Sequence, residues 1–195
     1  MIVNKGLSQK HTSDVIDLLL STFGEKIMPI LGKNNKAKRL LELSINQDNC
    51  FSAEDNTELL GVLAFQINKT RFISITLRSV INEYGIVRGV LKFIGLSLLG
   101  HKSYSDEIYV EAVAVCKNAR GQGVGTELFE ALFGFAKENK VKSITLQVIG
   151  PNTKAKELYE RLGFVVIKHT RIWPINRMFG WLFKDVFLMK KEMNK

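Results

Sequence analysis

Residues Tyr109 to Thr126 read YVEAVAVCKNARGQGVGT, and the fold follows from how that run divides. Tyr109 to Val115 is small and β-branched enough for a buried strand; Gly121, Gly123 and Gly125 then crowd together, and an amphipathic helix begins. In that helix Val124, Leu128, Leu132 and Ala136 recur every four residues, with Phe129, Phe133 and Phe135 widening the stripe. Glu127, Glu130, Lys137 and Glu138 lie largely off it. The glycines therefore sit where a first helical turn leaves N–H groups unpaired and carries partial positive charge, and they let an anion reach the backbone. Strand, loop and helix predict a phosphate or pyrophosphate ligand.

Spacing separates the nucleotide-binding loops of this kind. A P-loop needs Lys and then Ser or Thr after its last glycine, but Gly125 is followed by Thr126 and Glu127. A dinucleotide fingerprint needs G-x-G-x-x-G and an acidic residue ending the next strand. Here the glycines run G-x-G-x-G, and the next strand ends in Val148, Ile149 and Gly150.

Arg120, Gly123 and Gly125 fill a different pattern: Arg or Gln, two residues, Gly, one residue, then Gly or Ala. A second buried strand over Ser143 to Val148 leads to Asn152, Ala155, Leu158, Tyr159, Gly163 and Phe164. In these two motifs, in this order, the chain resembles the GCN5-related N-acetyltransferases (GNAT), closely from Glu107 to Ile167. The N-terminal half is similar in its pattern of elements. The resemblance implies an α/β (α+β) fold with a mixed, mostly antiparallel central sheet and flanking helices. It implies acetyl-CoA as co-substrate. The backbone of Val113, Ala114 and Val115 would bind the pantetheine arm and polarise the carbonyl. Arg120 and the loop amides of Gly121, Gln122, Gly123, Val124, Gly125 and Thr126 would take the pyrophosphate.

The same resemblance makes Tyr159 the general acid for the departing thiolate, the alternative being a tyrosine packed beside Ala155. Asn152 would bond backbone or cofactor at the strand-to-helix turn, or simply cap the helix. Glu111 is the candidate base. Strand alternation puts Tyr109, Glu111 and Val113 on one face, and family members often place an acid or histidine there. Glu111 could instead bind the acceptor's charge or be a solvated strand residue. Cys116 invites an acyl-cysteine route, but no histidine has a sequence-level claim to activate it. Direct transfer to an amine needs an uncharged amine, a place for the oxyanion and a proton for the thiolate, and no covalent enzyme intermediate.

Length and composition agree with a single domain over 1–195, with no repeat or linker. The N-terminal MIVNKGLSQKH lacks the apolar region of a secretory signal. Cys50 and Cys116 make no metal or redox spacing and read as reduced thiols of a cytoplasmic protein. His11, His101 and His169 are scattered, so no metal site is expected. The net charge of +9 points to anionic partners. Lys117, Arg120, Lys154 and Lys156 surround the expected coenzyme site, whereas Lys33, Lys36, Lys38 and Arg39 read as a solvated helix face rather than a nucleic-acid contact.

Along the chain, Met1 to Leu7 can form an edge strand. Thr12 or Ser13 caps a helix with Val15, Ile16, Leu19, Leu20 and Phe23 on its apolar face, and a second helix spans about Lys36 to Ile45. Cys50 to Ala53 and Glu58 to Ile67 form a hairpin around Glu54, Asp55, Asn56 and Thr57. Phe72 to Lys102 is an insertion relative to a minimal family member. Its longest uncharged run, Phe93 to Gly100, falls far short of the roughly 20 apolar residues of a membrane span. It reads as a helical pair forming a pocket wall or a homodimer contact, with a basic amphipathic helix on a membrane surface as the alternative. After a strand over Phe164 to Lys168, His169 to Phe183 is an aromatic-rich loop with Trp173, Pro174, Met178, Phe179 and Trp181, suited to core packing or to lining an acceptor pocket. Asp185 to Lys190 is the last strand.

The leading expectation is an N-acetyltransferase acting on a primary amine. A non-catalytic acyl-CoA-binding module and a basic nucleic-acid- or ribosome-associated protein are the alternatives.

Overall fold

The computed structural model describes residues 1–32, 35–56, 58–97, 106–178 and 180–193. The expectations that fall on Lys33, Thr57, Leu98 to Lys102 and Phe179 lie outside them. The chain runs β1 (Ile2–Lys5), α1 (Thr12–Leu31), α2 (Asn35–Glu42), β2 (Cys50–Asp55), β3 (Glu58–Gln66), α3 (Leu77–Tyr84), α4 (Ile86–Ser97) and β4 (Glu107–Val115). It continues through α5 (Val124–Glu138), β5 (Ser143–Ile149), α6 (Thr153–Arg161), β6 (Val165–Arg171), α7 (Ile175–Met178) and β7 (Asp185–Glu192).

The strands form one sheet in the order β1-β2-β3-β4-β5-β7-β6. Every neighbouring pair is antiparallel except β4 and β5, which α5 connects in parallel. This is the mixed, mostly antiparallel sheet with flanking helices that the two motifs imply. The long apolar stripe of α5 explains its place: Leu128, Phe129, Leu132 and Ala136 are buried with Phe51, Phe65 and Ile108 on one face of the sheet. On the other face, Val15, Ile16 and Leu19 of α1 pack with Val62, Ala64 and Ala114.

Alternation along β4 does not hold as expected. Ile108 and Val110 pack in the core beneath α5, and so do Val113 and Val115, whereas Ala112 and Ala114 join the α1 side. The parity changes because Ala64 pairs with Ala112 while Phe65 pairs with Val110, which leaves Glu111 as the extra residue of a β-bulge. Tyr109 and Val113 therefore do not share a face. The strand after α6 is also longer than its sequence suggests. β6 runs to Arg171, so His169 lies in this exposed edge strand, stacked on Phe187 at 4.7 Å and 2.7 Å from the Asp185 carboxylate.

Between β3 and β4, α3 opens with a capping box. The Thr76 hydroxyl accepts from the Ser79 amide, and the Ser79 hydroxyl accepts from the Thr76 amide. Val80, Phe93 and Leu96 of this helical pair pack against Leu31 of α1 and Ala37 and Leu40 of α2. Lys92 Nζ donates to the Ile30 carbonyl at 2.6 Å. Among the described residues, no helix is long and apolar enough to cross a membrane.

Gly61 marks a close approach of β3 to β4 and α5. A Cβ there would lie 2.9 Å from the Ala114 carbonyl oxygen and 3.2 Å from Val124 Cγ1. Gly61→Val is expected to destabilise the protein by about 1–3 kcal/mol through overpacking. An unchanged urea midpoint would show that β4 and α5 move aside without cost.

Candidate functional site

The parallel ladder between β4 and β5 joins Glu107–Val110 to Ser143–Leu146 and stops there. β4 continues to Val115 on the arm of β3, and β5 continues to Ile149 on the arm of β7. From the bulge at Glu111 onward the two strands part. Val113, Ala114 and Val115 thus sit where the β5-side edge of β4 has no strand neighbour among the described residues, an opening that can take an extended ligand.

β4 then runs into the glycine loop. Arg120 Nε donates to the Val115 carbonyl at 3.1 Å, and Gln122 Nε2 to the Asn118 carbonyl at 2.8 Å, so both side chains brace the loop. Gly121 and Gly123 have φ of +77° and +84°, and a Cβ on either would meet nothing within 4 Å. Their need for glycine is conformational. Gly125 differs: its φ is not left-handed, and its Cβ would meet Leu158 Cδ2 of α6 at an ordinary contact distance of 3.4 Å. Gly123 is the N-cap of α5 with no side-chain cap, and the Glu127 amide is bonded back to its carbonyl at 3.1 Å. The amides of Val124, Gly125 and Thr126 precede that first turn bond and so lack intrahelical acceptors, which fits an anionic ligand such as a pyrophosphate.

Tyr159 lines the large cavity described below and is almost fully buried, edge-on to Phe129 at 5.6 Å and to Phe164 at 6.1 Å. Burial pushes its phenol up to about 12, so its proton is held throughout the neutral range. Asn152 is the N-cap of α6, its side-chain oxygen accepting from the Ala155 amide at 3.3 Å. Its side chain is thereby committed to the helix. The Cys116 thiol donates to the Leu59 carbonyl at 3.3 Å and is pushed up by desolvation, which disfavours a thiolate nucleophile.

Glu111 is not a free carboxylate. Arg71 Nε donates to its Oε1 at 2.7 Å, and the amides of Phe72 and Ile73 donate to Oε2 at 3.1 and 3.4 Å. The bulge aims it at the segment leaving β3, and three donors hold it there. Both carboxylate oxygens are thereby committed to this segment rather than open to the cavity.

Tyr109, Glu111, Val113, Gln147 and Tyr159 line one cavity of about 650 Å³. Much of its remaining wall is apolar and aromatic, with Phe23 and Ile27 from α1, Phe93 and Leu96 from α4, and Trp181 and Phe183 before β7, joined by Lys26, Arg71, Ser97 and Thr170. Trp181 stacks on Phe183 at 5.6 Å, and its indole N–H donates to the Lys26 carbonyl at 3.2 Å. Trp173, from the same aromatic-rich stretch, is 65% exposed and plays no part in this wall. Arg71 and Lys26 are the lining residues that sequence reasoning missed. Arg71 carried no local signal, because its partner is Glu111, forty positions away. Lys26 did carry one, standing three residues after Phe23 on the apolar stripe of α1. No group of His, Cys, Asp and Glu among the described residues could hold a metal ion.

Comparison with known proteins agrees with this geometry. The model of the acetyltransferase (GNAT) family matches residues 14–164. N-alpha-acetyltransferase 30 of Schizosaccharomyces pombe is 32% identical over 76 residues, 39% of this chain and 51% of that protein, so the chain spans about half the length of this relative. An N-acetyltransferase from Staphylococcus aureus Mu50 has a TM-score of 0.69 at 12% identity, covering 98% of this chain and 100% of that one. The yncA protein of Salmonella typhimurium, solved with its cofactor acetyl-CoA, has a TM-score of 0.60 at 12% identity, covering 100% of this chain and 95% of that one. At such identities these structures establish likeness of fold.

The Tyr159 hydroxyl also leaves a mark on stability. With its folded pKa at about 12, above the ordinary value near 10, stability is fully present below pH 10. It is lost as pH rises towards 12, because the unfolded phenol ionises first. Wild type is therefore expected to lose thermal stability more steeply than Tyr159→Phe between pH 10 and 12. Parallel curves would show that the hydroxyl is solvated.

Proposed function

Because the chain belongs to the GNAT acetyltransferase family, we propose that it is an enzyme that moves an acetyl group from acetyl-CoA to a primary amine by direct transfer. The observation that carries this reading is that the parted edge of β4 leads straight into the uncapped start of α5. An extended arm and an anion can be held there in tandem, by backbone groups alone. Acetyl-CoA supplies the activated thioester. In this scheme the amides from Gly121 to Thr126 hold its pyrophosphate, and the β4 edge from Val113 to Val115 holds the pantetheine arm and orients the carbonyl.

Tyr159 is proposed to donate its proton to the sulfur as the thiolate leaves. A phenol held near 12 stays protonated until a strong acceptor develops beside it, and a desolvated thiolate is such an acceptor. Glu111 enters as a positioning residue. By gripping Arg71 and the amides of Phe72 and Ile73 it fixes one wall of the acceptor cavity, while the acceptor arrives as the free amine and loses its proton to solvent. We further read 1–195 as one domain with an insertion over about 72–102. The two free thiols, Cys50 and Cys116, suit a cytoplasmic enzyme.

Thermal shift and thiol release test the scheme together. Acetyl-CoA is expected to stabilise wild type and Tyr159→Phe alike but not Gly123→Val, whose β-branched side chain cannot adopt the left-handed N-cap. Tyr159→Phe should lower turnover roughly tenfold to a thousandfold, near and below the usual general-acid range. No stabilisation of wild type by acetyl-CoA, together with no thiol release across an amine panel, would overturn the proposal. Wild-type turnover by Tyr159→Phe when chemistry limits the rate would remove the acid alone. Glu111→Gln is expected to raise acceptor KM with the pH profile unmoved; a displaced profile would restore Glu111 as the base.

A further inference from the structure

The acceptor cavity has an uneven charge. Of its described lining residues Glu111 is the one carboxylate, and it is consumed by Arg71 at 2.7 Å. The other lining cation, Lys26, has no ion-pair partner among the described residues. Its ammonium instead lies 5.9 Å from the Phe23 ring centroid and 5.6 Å from that of Phe183. Desolvation lowers its pKa, which is the penalty of keeping an unpaired ammonium among apolar walls. The two rings offset part of that cost. The fold thus keeps one positive charge without an ion-pair partner, among the described residues, in a pocket whose Lys26 side is walled by Phe23, Ile27 and Phe183.

Resting on the transfer reading above, we infer that the acceptor is a primary amine on an apolar or aromatic body whose far end carries a single carboxylate, and that Lys26 receives this carboxylate. The body lies against Phe23, Ile27 and Phe183, and the carboxylate gives Lys26 the counter-charge that the protein withholds. The same arrangement selects against polyamines and other polycations. A second ammonium in this cavity would meet Lys26 and Arg71 and find no free carboxylate. Specificity comes as much from this repulsion as from the attraction.

Matched acceptors test the inference by acetyl-CoA-dependent thiol release. 4-(2-Aminoethyl)benzoate is compared with its neutral amide, 4-(2-aminoethyl)benzamide, and with spermidine. A C-terminally amidated tripeptide of leucine, phenylalanine and glutamate is paired with its equally amidated glutamine twin, to tell an acidic peptide N-terminus from a small amino carboxylate. Wild type is expected to favour the carboxylate twin at least tenfold in kcat/KM in one or both pairs, with spermidine below it. Lys26→Met should abolish that preference, and Lys26→Arg should retain it. Equal use of the twins by wild type, better use of spermidine, or a preference that survives Lys26→Met would overturn the acceptor class and leave acetyl transfer standing. The wild-type comparisons decide this even if a variant fails to fold. No thiol release with any amine, and no stabilisation by acetyl-CoA, would instead overturn the transfer reading and the inference with it.

Discussion

One extra residue in one strand organises this molecule. Glu111 bulges out of β4 opposite Ala64 and Phe65, and just past it the parallel ladder to β5 ends. A bulge sharpens local twist and leaves a backbone group unpaired, so β4 swings away from β5 while β3 still carries it. The bulge also reverses which side chains face α5, letting Val113 and Val115 take up the packing that Ile108 and Val110 began. The core continues unbroken across the opening.

That opening is bordered by the main chain of β4 and of the glycine loop. The glycine loop contributes amides, and the side chains nearest them, Arg120 and Gln122, are spent on bracing the loop. The glycines are not equivalent: Gly121 and Gly123 supply left-handed turns, whereas Gly125 has room for a Cβ at ordinary contact with Leu158. Sites built on backbone dipoles tolerate wide change in side chains, which fits a fold shared with solved structures at 12% identity. Individuality is left to the cavity beyond the opening, whose walls come from α1, α4 and the stretch before β7.

Two charged contacts frame that cavity. Glu111 and Arg71, with the amides of Phe72 and Ile73, tie the segment leaving β3 to the bulge, so the wall and the opening are set by one ion pair. Lys26 stands apart from any such pair among the described residues and is cushioned by two aromatic rings. A satisfied pair holds shape, whereas an unsatisfied cation in apolar surroundings is a cost to the fold that a ligand can relieve.

Most of the architecture was legible in the chain itself. The apolar stripe of α5, the glycines before it, the hairpin of β2 and β3 and the Asn152-to-Phe164 run each encode local structure through periodicity or backbone preference, and such signals act over a few residues. The position of Tyr159 was legible for the same reason. The state of Glu111 was not: alternation assumes an unbroken ladder, and the bulge that breaks it depends on how β3 pairs across the sheet. Nor was its capture by Arg71, or the enclosure of Lys26 between Phe23 and Phe183, because those partners are far apart in sequence and meet only when the sheet, α1 and the chain before β7 close together. The sequence by itself determined the family, the elements and the glycine loop ahead of α5; tertiary structure alone decided how Glu111, Arg71 and Lys26 are partnered, because pairing is set by distance in space and by desolvation, and neither is written in local order.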